Sequence, residues 1–175
     1  MKLITDIKLL LLGLWLGATC FFIAVAQIVF AVLPTRELAG LVVGRSLAVL
    51  NFSAIAVAVL VIVLSFLGAG RVNKFLLWAE RLLLLVVAAA GAIGQFVIGF
   101  WLSSLRVQMG RPIDEIAADD PLKVQFNSLH EYSVWVLFAG MAAALLAFFI
   151  VSNRKSGKEK DKKAEVYDFS REFKV

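Results

Sequence analysis

Three amide side chains inside long apolar segments are the first candidates for chemistry in this sequence. Gln27, Asn51 and Gln95 each stand in a different segment. If these segments are helices that cross a bilayer, all three amides lie roughly 8–10 Å below the same surface, at about 1.5 Å of rise per residue. An unpaired amide costs several kcal/mol in hydrocarbon. We therefore expect the three side chains to approach one another between the helices.

Two interpretations of these amides follow from the sequence. In the first, they hydrogen-bond between helices and fix the register of a bundle. In the second, they line a shallow cavity that opens outward and binds a small molecule or a lipid head group, because polar residues inside a membrane are often functional. The candidate binding site combines the amides with three basic residues at the mouth: Gln27, Asn51, Gln95, Arg45, Arg106 and His130.

Other kinds of chemistry have little support in the residue types. The chain has one Cys, one His and three Met, which are too few for a zinc site or for two axial haem ligands within one chain. It contains no Gly-rich phosphate loop with a lysine, no paired Cys motif and no HExxH motif. The predicted membrane spans contain no Asp, Glu, Lys or Arg, which argues against an ion-coupled transporter. We predict no catalytic residue, no metal site and no cofactor.

The elements that must position the candidate site are four apolar segments. The chain of 175 residues is 61% hydrophobic and 18% charged, with a mean hydropathy of +0.89, and this composition excludes a water-soluble globular enzyme. A bilayer core needs about 20 helical residues, and lipid offers the backbone no other hydrogen-bond partners. The composition therefore predicts an all-α, polytopic membrane protein. Its four transmembrane helices form a domain of residues 1–151, with spans at about 9–33, 46–69, 82–102 and 133–151.

The helices are expected to extend beyond the membrane on one side. Asp120-Pro121 is an N-cap followed by proline at the first helical position, so the fourth helix is predicted to run from Pro121 to Val151. Pro34-Thr35 ends the first helix and can cap the second. Small residues recur along every helix, and we expect these rows to face inward because they permit close helix packing. The rows are Gly13, Gly17, Cys20, Ala24 and Gln27; Gly44, Asn51, Ala58 and Ser65; Ala88, Gly91 and Gln95; and Ala139, Ala143 and Ala147.

Charge predicts the orientation. The side with both termini carries eleven Lys or Arg when the first part of the tail is included, and the other side carries five. Since cytoplasmic loops carry the excess of basic residues, both termini are predicted to be cytoplasmic, in the inner membrane of a bacterium. The first helix is predicted to be uncleaved, because its apolar run outlasts a signal-peptide core. Residues 152–175 are predicted to form a charged, disordered tail.

Several short motifs are similar to those of a known family. They are Leu14-Trp15-Leu16-Gly17, Phe21-Phe22, Leu33-Pro34, Gly44-Arg45, and Phe126-Asn127-Ser128-Leu129-His130 with Ser133. With these motifs the chain, from about Leu9 to Ile150, resembles the family of small membrane proteins called domain of unknown function 4149, or transmembrane-protein-205-like. The resemblance implies a four-helix membrane fold and no known activity. The family tends to have Ala-Pro where this chain has Ala26-Gln27, so the resemblance does not carry a kink in the first helix to this chain.

Two classes of function are consistent with these observations. The first is a multi-pass membrane protein without enzymatic activity, either an accessory protein or a binder of a lipid or small apolar molecule. The alternative is a metal- or haem-linked membrane oxidoreductase or carrier subunit whose site is shared between chains. The partners expected are membrane lipid and either a second copy of the chain or another membrane protein. No nucleic acid is expected, since only the basic tail would favour it.

Overall fold

The computed structural model describes residues 2–67 and 73–153, and these residues form a bundle of long helices. The α-helices are α1 (Lys2–Val32), α2 (Arg36–Leu67), α3 (Lys74–Ala92), α4 (Gly99–Met109) and α5 (Pro121–Ser152). A π-helical stretch, Ile93–Ile98, joins α3 and α4 into one rod, and a 3-10 turn, Ile113–Glu115, precedes α5. Four rods, namely α1, α2, α3–α4 and α5, are each long and apolar enough to cross a membrane. The predicted four-span, all-α membrane protein is confirmed.

Each rod packs against two neighbours. α1 contacts α2 and α5, and α3 contacts the same two helices. The core between them contains leucine and valine side chains and many alanines, among them Leu12, Ala58, Leu84 and Ala144. Small residues bring the helices close together, as at Gly140, where an added Cβ would lie 3.2 Å from the Cβ of Ala90.

The helix ends follow the signals in the sequence. α1 ends at Val32, and the Thr35 hydroxyl accepts a hydrogen bond of 3.3 Å from the Leu38 backbone N–H in the first turn of α2. At the start of α5, the Asp120 carboxylate accepts a hydrogen bond of 2.8 Å from the Leu122 backbone N–H. Both predicted helix starts are confirmed. We call the end of the bundle with residues 33–35 and 110–120 the loop end, and the opposite end the terminal end. The predicted tail lies outside the described residues, except for residues 152 and 153.

The face that α1 turns inward differs from the prediction. Its row of small residues does not face the core, since Gly17, Cys20, Ala24 and Gln27 are all exposed. The buried residues of α1 are Lys8, Leu12, Trp15 and Thr19. The prediction for this row was therefore wrong, whereas most members of the other three rows are buried or partly buried.

Hydrogen bonding explains which face of α1 is buried. The Trp15 indole N–H donates to the backbone carbonyl of Leu50 on α2 at 3.2 Å. The Thr19 hydroxyl donates to the backbone carbonyl of Trp15 at 2.8 Å. A tryptophan placed at this depth needs an acceptor for its N–H, because lipid provides none. Burying the face of α1 that carries Trp15 satisfies the indole N–H, whereas burying the face with the glycines would permit closer packing but leave that N–H without an acceptor.

Candidate functional site

Two adjoining cavities occupy the half of the bundle nearest the loop end. The larger, which we call the lateral cavity, has a volume of about 520 Å³ and lies between α2 and the π-helical and α4 part of the third rod. Its walls are mainly apolar, and its polar or basic lining residues are Arg45, Asn51, Gln95, Ser103, Arg106 and Ser133. A volume in this range is typical of cavities that bind small molecules.

The smaller cavity, which we call the end cavity, lies closer to the loop end. It has a volume of about 200 Å³, and its polar or basic lining residues are Arg36, Arg106, Asn127, His130 and Ser133. The two cavities share a wall made by Gly44, Leu47, Leu102, Arg106 and Ser133. No Asp or Glu side chain is among the residues that line either cavity. The electrostatic character of this space is therefore set by cationic side chains.

Asn51 lies at the inner end of the lateral cavity, where α2 and the third rod come closest. Asn51 is only 7% exposed. A Cβ added at Gly91 would lie 2.7 Å from the backbone oxygen of Asn51, and one added at Gly94 would lie 3.0 Å from its Nδ2 atom. Gly91 thus leaves space for the backbone of α2, and Gly94 leaves space for the side-chain amide. Within residues 2–67 and 73–153, the Asn51 side chain has no hydrogen-bond partner, which is costly for a buried amide.

The π-helical stretch forms the opposite wall of the lateral cavity. It contains Gly94 and Gln95, and Gln95 is partly buried and lines the cavity together with Asn51. A π-helical turn holds one more residue than an α-helical turn, so it changes the face that the following helix turns toward the bundle. Such turns occur frequently at functional sites. Since Asn51 and Gln95 line the same cavity, the structure brings two of the three predicted amides together.

Gln27 is not part of this site. Its side chain is exposed on α1 and lines neither cavity. The expectation that all three amides would meet in the core was therefore wrong for Gln27, because α1 buries its Trp15 face instead. The three basic residues of the predicted mouth do line the cavities: Arg45 lines the lateral cavity, His130 lines the end cavity, and Arg106 lines both.

Arg106 is held by packing contacts rather than by ion pairs. One of its guanidinium nitrogens, Nη2, lies so close to α2 that a Cβ added at Gly40 would be 2.9 Å away. The guanidinium carbon is 5.3 Å from the centre of the Phe126 ring on α5. In the described part of the chain, no carboxylate oxygen lies within 4 Å of Arg106, and its guanidinium makes no hydrogen bond. Arg106 therefore has N–H donors available to the cavities.

A buried ion pair at the terminal end was missed by the sequence reasoning. Lys8 Nζ lies 3.0 Å from Glu80 Oε1, and the two side chains are 4% and 0% exposed. Both residues lie outside the predicted spans, so no contact between them inside the bundle was predicted. A signal was present, since each residue continues the buried row of its helix at spacings of four, three and four. The rows are Lys8, Leu12, Trp15 and Thr19 on α1, and Glu80, Leu84, Val87 and Gly91 on α3.

A second polar contact ties α2 to α3 at the same end. The Arg81 Nε–H donates to the Ser65 hydroxyl at 2.9 Å, and Arg81 Nη2 donates to the Ser65 backbone oxygen at 3.4 Å. The guanidinium also lies 3.8 Å from the centre of the Phe66 ring. At this end, polar contacts therefore join α1 to α3 and α2 to α3.

Metal chemistry has no cluster of ligands in the described residues. No three His, Cys, Asp or Glu side chains converge there in a way that could hold a metal ion. Cys20 is a free, exposed thiol on α1, and His130 belongs to the end cavity.

Comparison with known proteins identifies a family and gives no activity. The sequence profile of the domain of unknown function (DUF4149) matches residues 10–111, which is more than half of the chain. No curated protein and no solved structure matches the chain. The chain belongs to the DUF4149 family.

Proposed function

For this member of a family of unknown activity, we propose a binding function without catalysis: the lateral cavity holds a lipid or a small apolar molecule that carries a hydrogen-bonding group. The observation that carries the proposal is Asn51, a buried amide with no partner in the described residues that lines a cavity of about 520 Å³. A polar group of the bound molecule would satisfy this amide and offset the cost of burying it.

The walls of the lateral cavity support a molecule with an apolar part. Leu41, Phe96 and Phe100 line the cavity and are themselves exposed on the outside of the bundle. On a membrane-spanning bundle, exposed apolar side chains at this level face lipid. A molecule could therefore enter from the bilayer without crossing water.

Filling the cavity tests the proposal. Gly44 lines both cavities, and a Cβ added there would meet no atom within 4 Å. Gly44→Leu should therefore fold while its side chain occupies the binding space. We expect native mass spectrometry of the wild-type protein, released from nanodiscs made of a natural lipid extract, to show a bound molecule that Gly44→Leu loses by about tenfold or more.

Gly17→Leu is the matched control for this variant. Gly17 is likewise exposed, helical and without atoms within 4 Å of an added Cβ, but it lies on α1 outside both cavities. The proposal fails if the wild-type protein retains no molecule, or if both glycine variants retain it equally well.

We further propose that both termini lie in the cytoplasm and that the membrane is a plasma membrane, which in bacteria is the inner membrane. The support is the excess of Lys and Arg on the side of the termini, eleven against five. Burial of Lys8 in an ion pair lowers the first number by one and leaves the asymmetry in place. In a Cys20→Ala background, a membrane-impermeant maleimide should label Asp114→Cys in intact cells. Labelling only after permeabilisation would contradict this orientation.

A further inference from the structure

We infer that Arg106 binds the anionic head group, a phosphate or a carboxylate, of the molecule whose apolar part lies in the lateral cavity; this rests on the function proposed above. Arg106 lies in the wall shared by the two cavities, so this residue borders both the apolar space and the smaller end cavity. A head group bound there would place its attached chain beside Phe96 and Phe100.

The charges around the two cavities favour an anion. Their lining includes three arginines and one histidine and no acidic side chain. One of the arginines, Arg36, already pairs with Asp114 at 3.9 Å. Glu37, in the first turn of α2, does not approach Arg106 within 4 Å. Arg45 is exposed and lines the lateral cavity alone. Arg106 is the arginine that lines both cavities, and its donors are available.

Two packing contacts place the guanidinium before any ligand binds. Gly40 lets it rest against the backbone of α2, and the Phe126 ring packs near it from α5. Arginine remains charged in proteins and presents a planar set of donors that matches phosphate and carboxylate oxygens. Its five N–H donors have no hydrogen-bond partner in the described part of the chain. An anion would supply these partners through charge-assisted bonds.

Other groups complete the end cavity. Asn127 and His130 on α5 line it opposite the α2 wall. The His130 backbone oxygen accepts a 2.6 Å hydrogen bond from the Ser133 hydroxyl, which leaves the imidazole outside that interaction. Both side chains carry groups that can donate hydrogen bonds to an anion. The volume of about 200 Å³ provides space for a head group.

The test measures which lipid the protein retains. The full chain is reconstituted in nanodiscs of equal parts phosphatidylglycerol and phosphatidylcholine, and the bound lipid is read by native mass spectrometry. We expect the wild-type protein to retain phosphatidylglycerol over phosphatidylcholine by about tenfold, and Arg106→Gln to lose this preference, because a hydrogen bond to a charged group contributes enough for roughly that factor. Arg106→Lys should keep part of it.

Two further variants control for folding and for net charge. Gly40→Ala forces only the flexible end of the Arg106 side chain to move, so it should weaken the preference even if Arg106→Gln fails to fold. Arg111→Gln removes one positive charge from an exposed residue at the same end that lines neither cavity. It should leave the preference unchanged.

Two additional probes distinguish the possible sources of the anion. Oleate in place of phosphatidylglycerol tests a carboxylate head, and inorganic phosphate titrated into the detergent-solubilised protein tests a free anion. In one outcome, the protein retains a lipid that Gly44→Leu loses and yet shows no preference for the anionic lipid. That result would overturn this inference and leave the proposed function standing. Arg106-dependent binding of inorganic phosphate without retention of lipid or oleate would overturn the link to the lateral cavity. Retention of no probe at all would overturn both.

Discussion

The Lys8–Glu80 pair makes a quantitative prediction about stability. Its nitrogen and oxygen are 3.0 Å apart, and the two side chains are at most 4% exposed, so the contact is shielded from water. Removing one member of a buried ion pair typically costs about 3–5 kcal/mol. We expect Lys8→Met and Glu80→Met each to lower the free energy of unfolding by an amount in this range.

The double variant should recover most of that loss. Replacing both members of a buried ion pair by apolar side chains is often neutral or stabilising, and Met is flexible enough to fill the irregular space that remains. Lys8→Met/Glu80→Met should therefore lie within about 2 kcal/mol of the wild-type protein. The interaction energy from the double-mutant cycle would then be several kcal/mol, well above the value for an exposed pair.

Unfolding by sodium dodecyl sulfate in mixed micelles, followed by tryptophan fluorescence, measures these differences, since the chain has four tryptophans. Lys74→Met is the matched control, because Lys74 is exposed in the first turn of α3 at the same end of the bundle. It should change the free energy of unfolding by less than about 0.5 kcal/mol. The reasoning would be refuted if each single variant lowered the free energy of unfolding by less than about 1 kcal/mol and the two losses added in the double variant.

The remaining predictions concern two glycines in the same assay. Gly91→Ala should destabilise the protein by about 1–3 kcal/mol, because its Cβ would lie 2.7 Å from the Asn51 backbone oxygen, which cannot move without α2. Gly17→Ala should leave stability unchanged or raise it by up to about 1 kcal/mol, because nothing lies within 4 Å of its Cβ and alanine favours a helix. Equal effects at the two positions would show that the close approach of α2 and α3 is not as described.

The helices and their ends were predictable because they depend on local physics. An apolar segment in lipid must satisfy its own backbone, and this requirement alone identifies four helical rods. The caps at Thr35 and Asp120 depend on side chains within three residues of the N–H groups that they accept from. None of these features requires knowledge of a neighbouring helix.

The buried face of α1 was not predictable from its spacing. Two rows on this helix share the same period: one contains Gly17 and Gln27, the other Lys8 and Trp15. Spacing shows that each row lies along one side of the helix and does not show which side meets the bundle. The choice depends on Glu80 and on the carbonyl of Leu50, which belong to other helices. The π-helical stretch was likewise not predictable, because the sequence from Ile93 to Ile98 contains no local signal for a π-helix.

Buried polar groups at the two ends of the bundle differ in their partners among the described residues. At the terminal end, Lys8 meets Glu80 and Arg81 meets Ser65, and these contacts hold helices together. At the loop end, the side chains of Asn51 and Arg106 line cavities and make no hydrogen bond to the described residues. An arrangement that served only to stabilise the bundle would gain from pairing these groups or replacing them by apolar ones. The contrast within one small protein therefore favours a structural role for the terminal end and a binding role for the loop end.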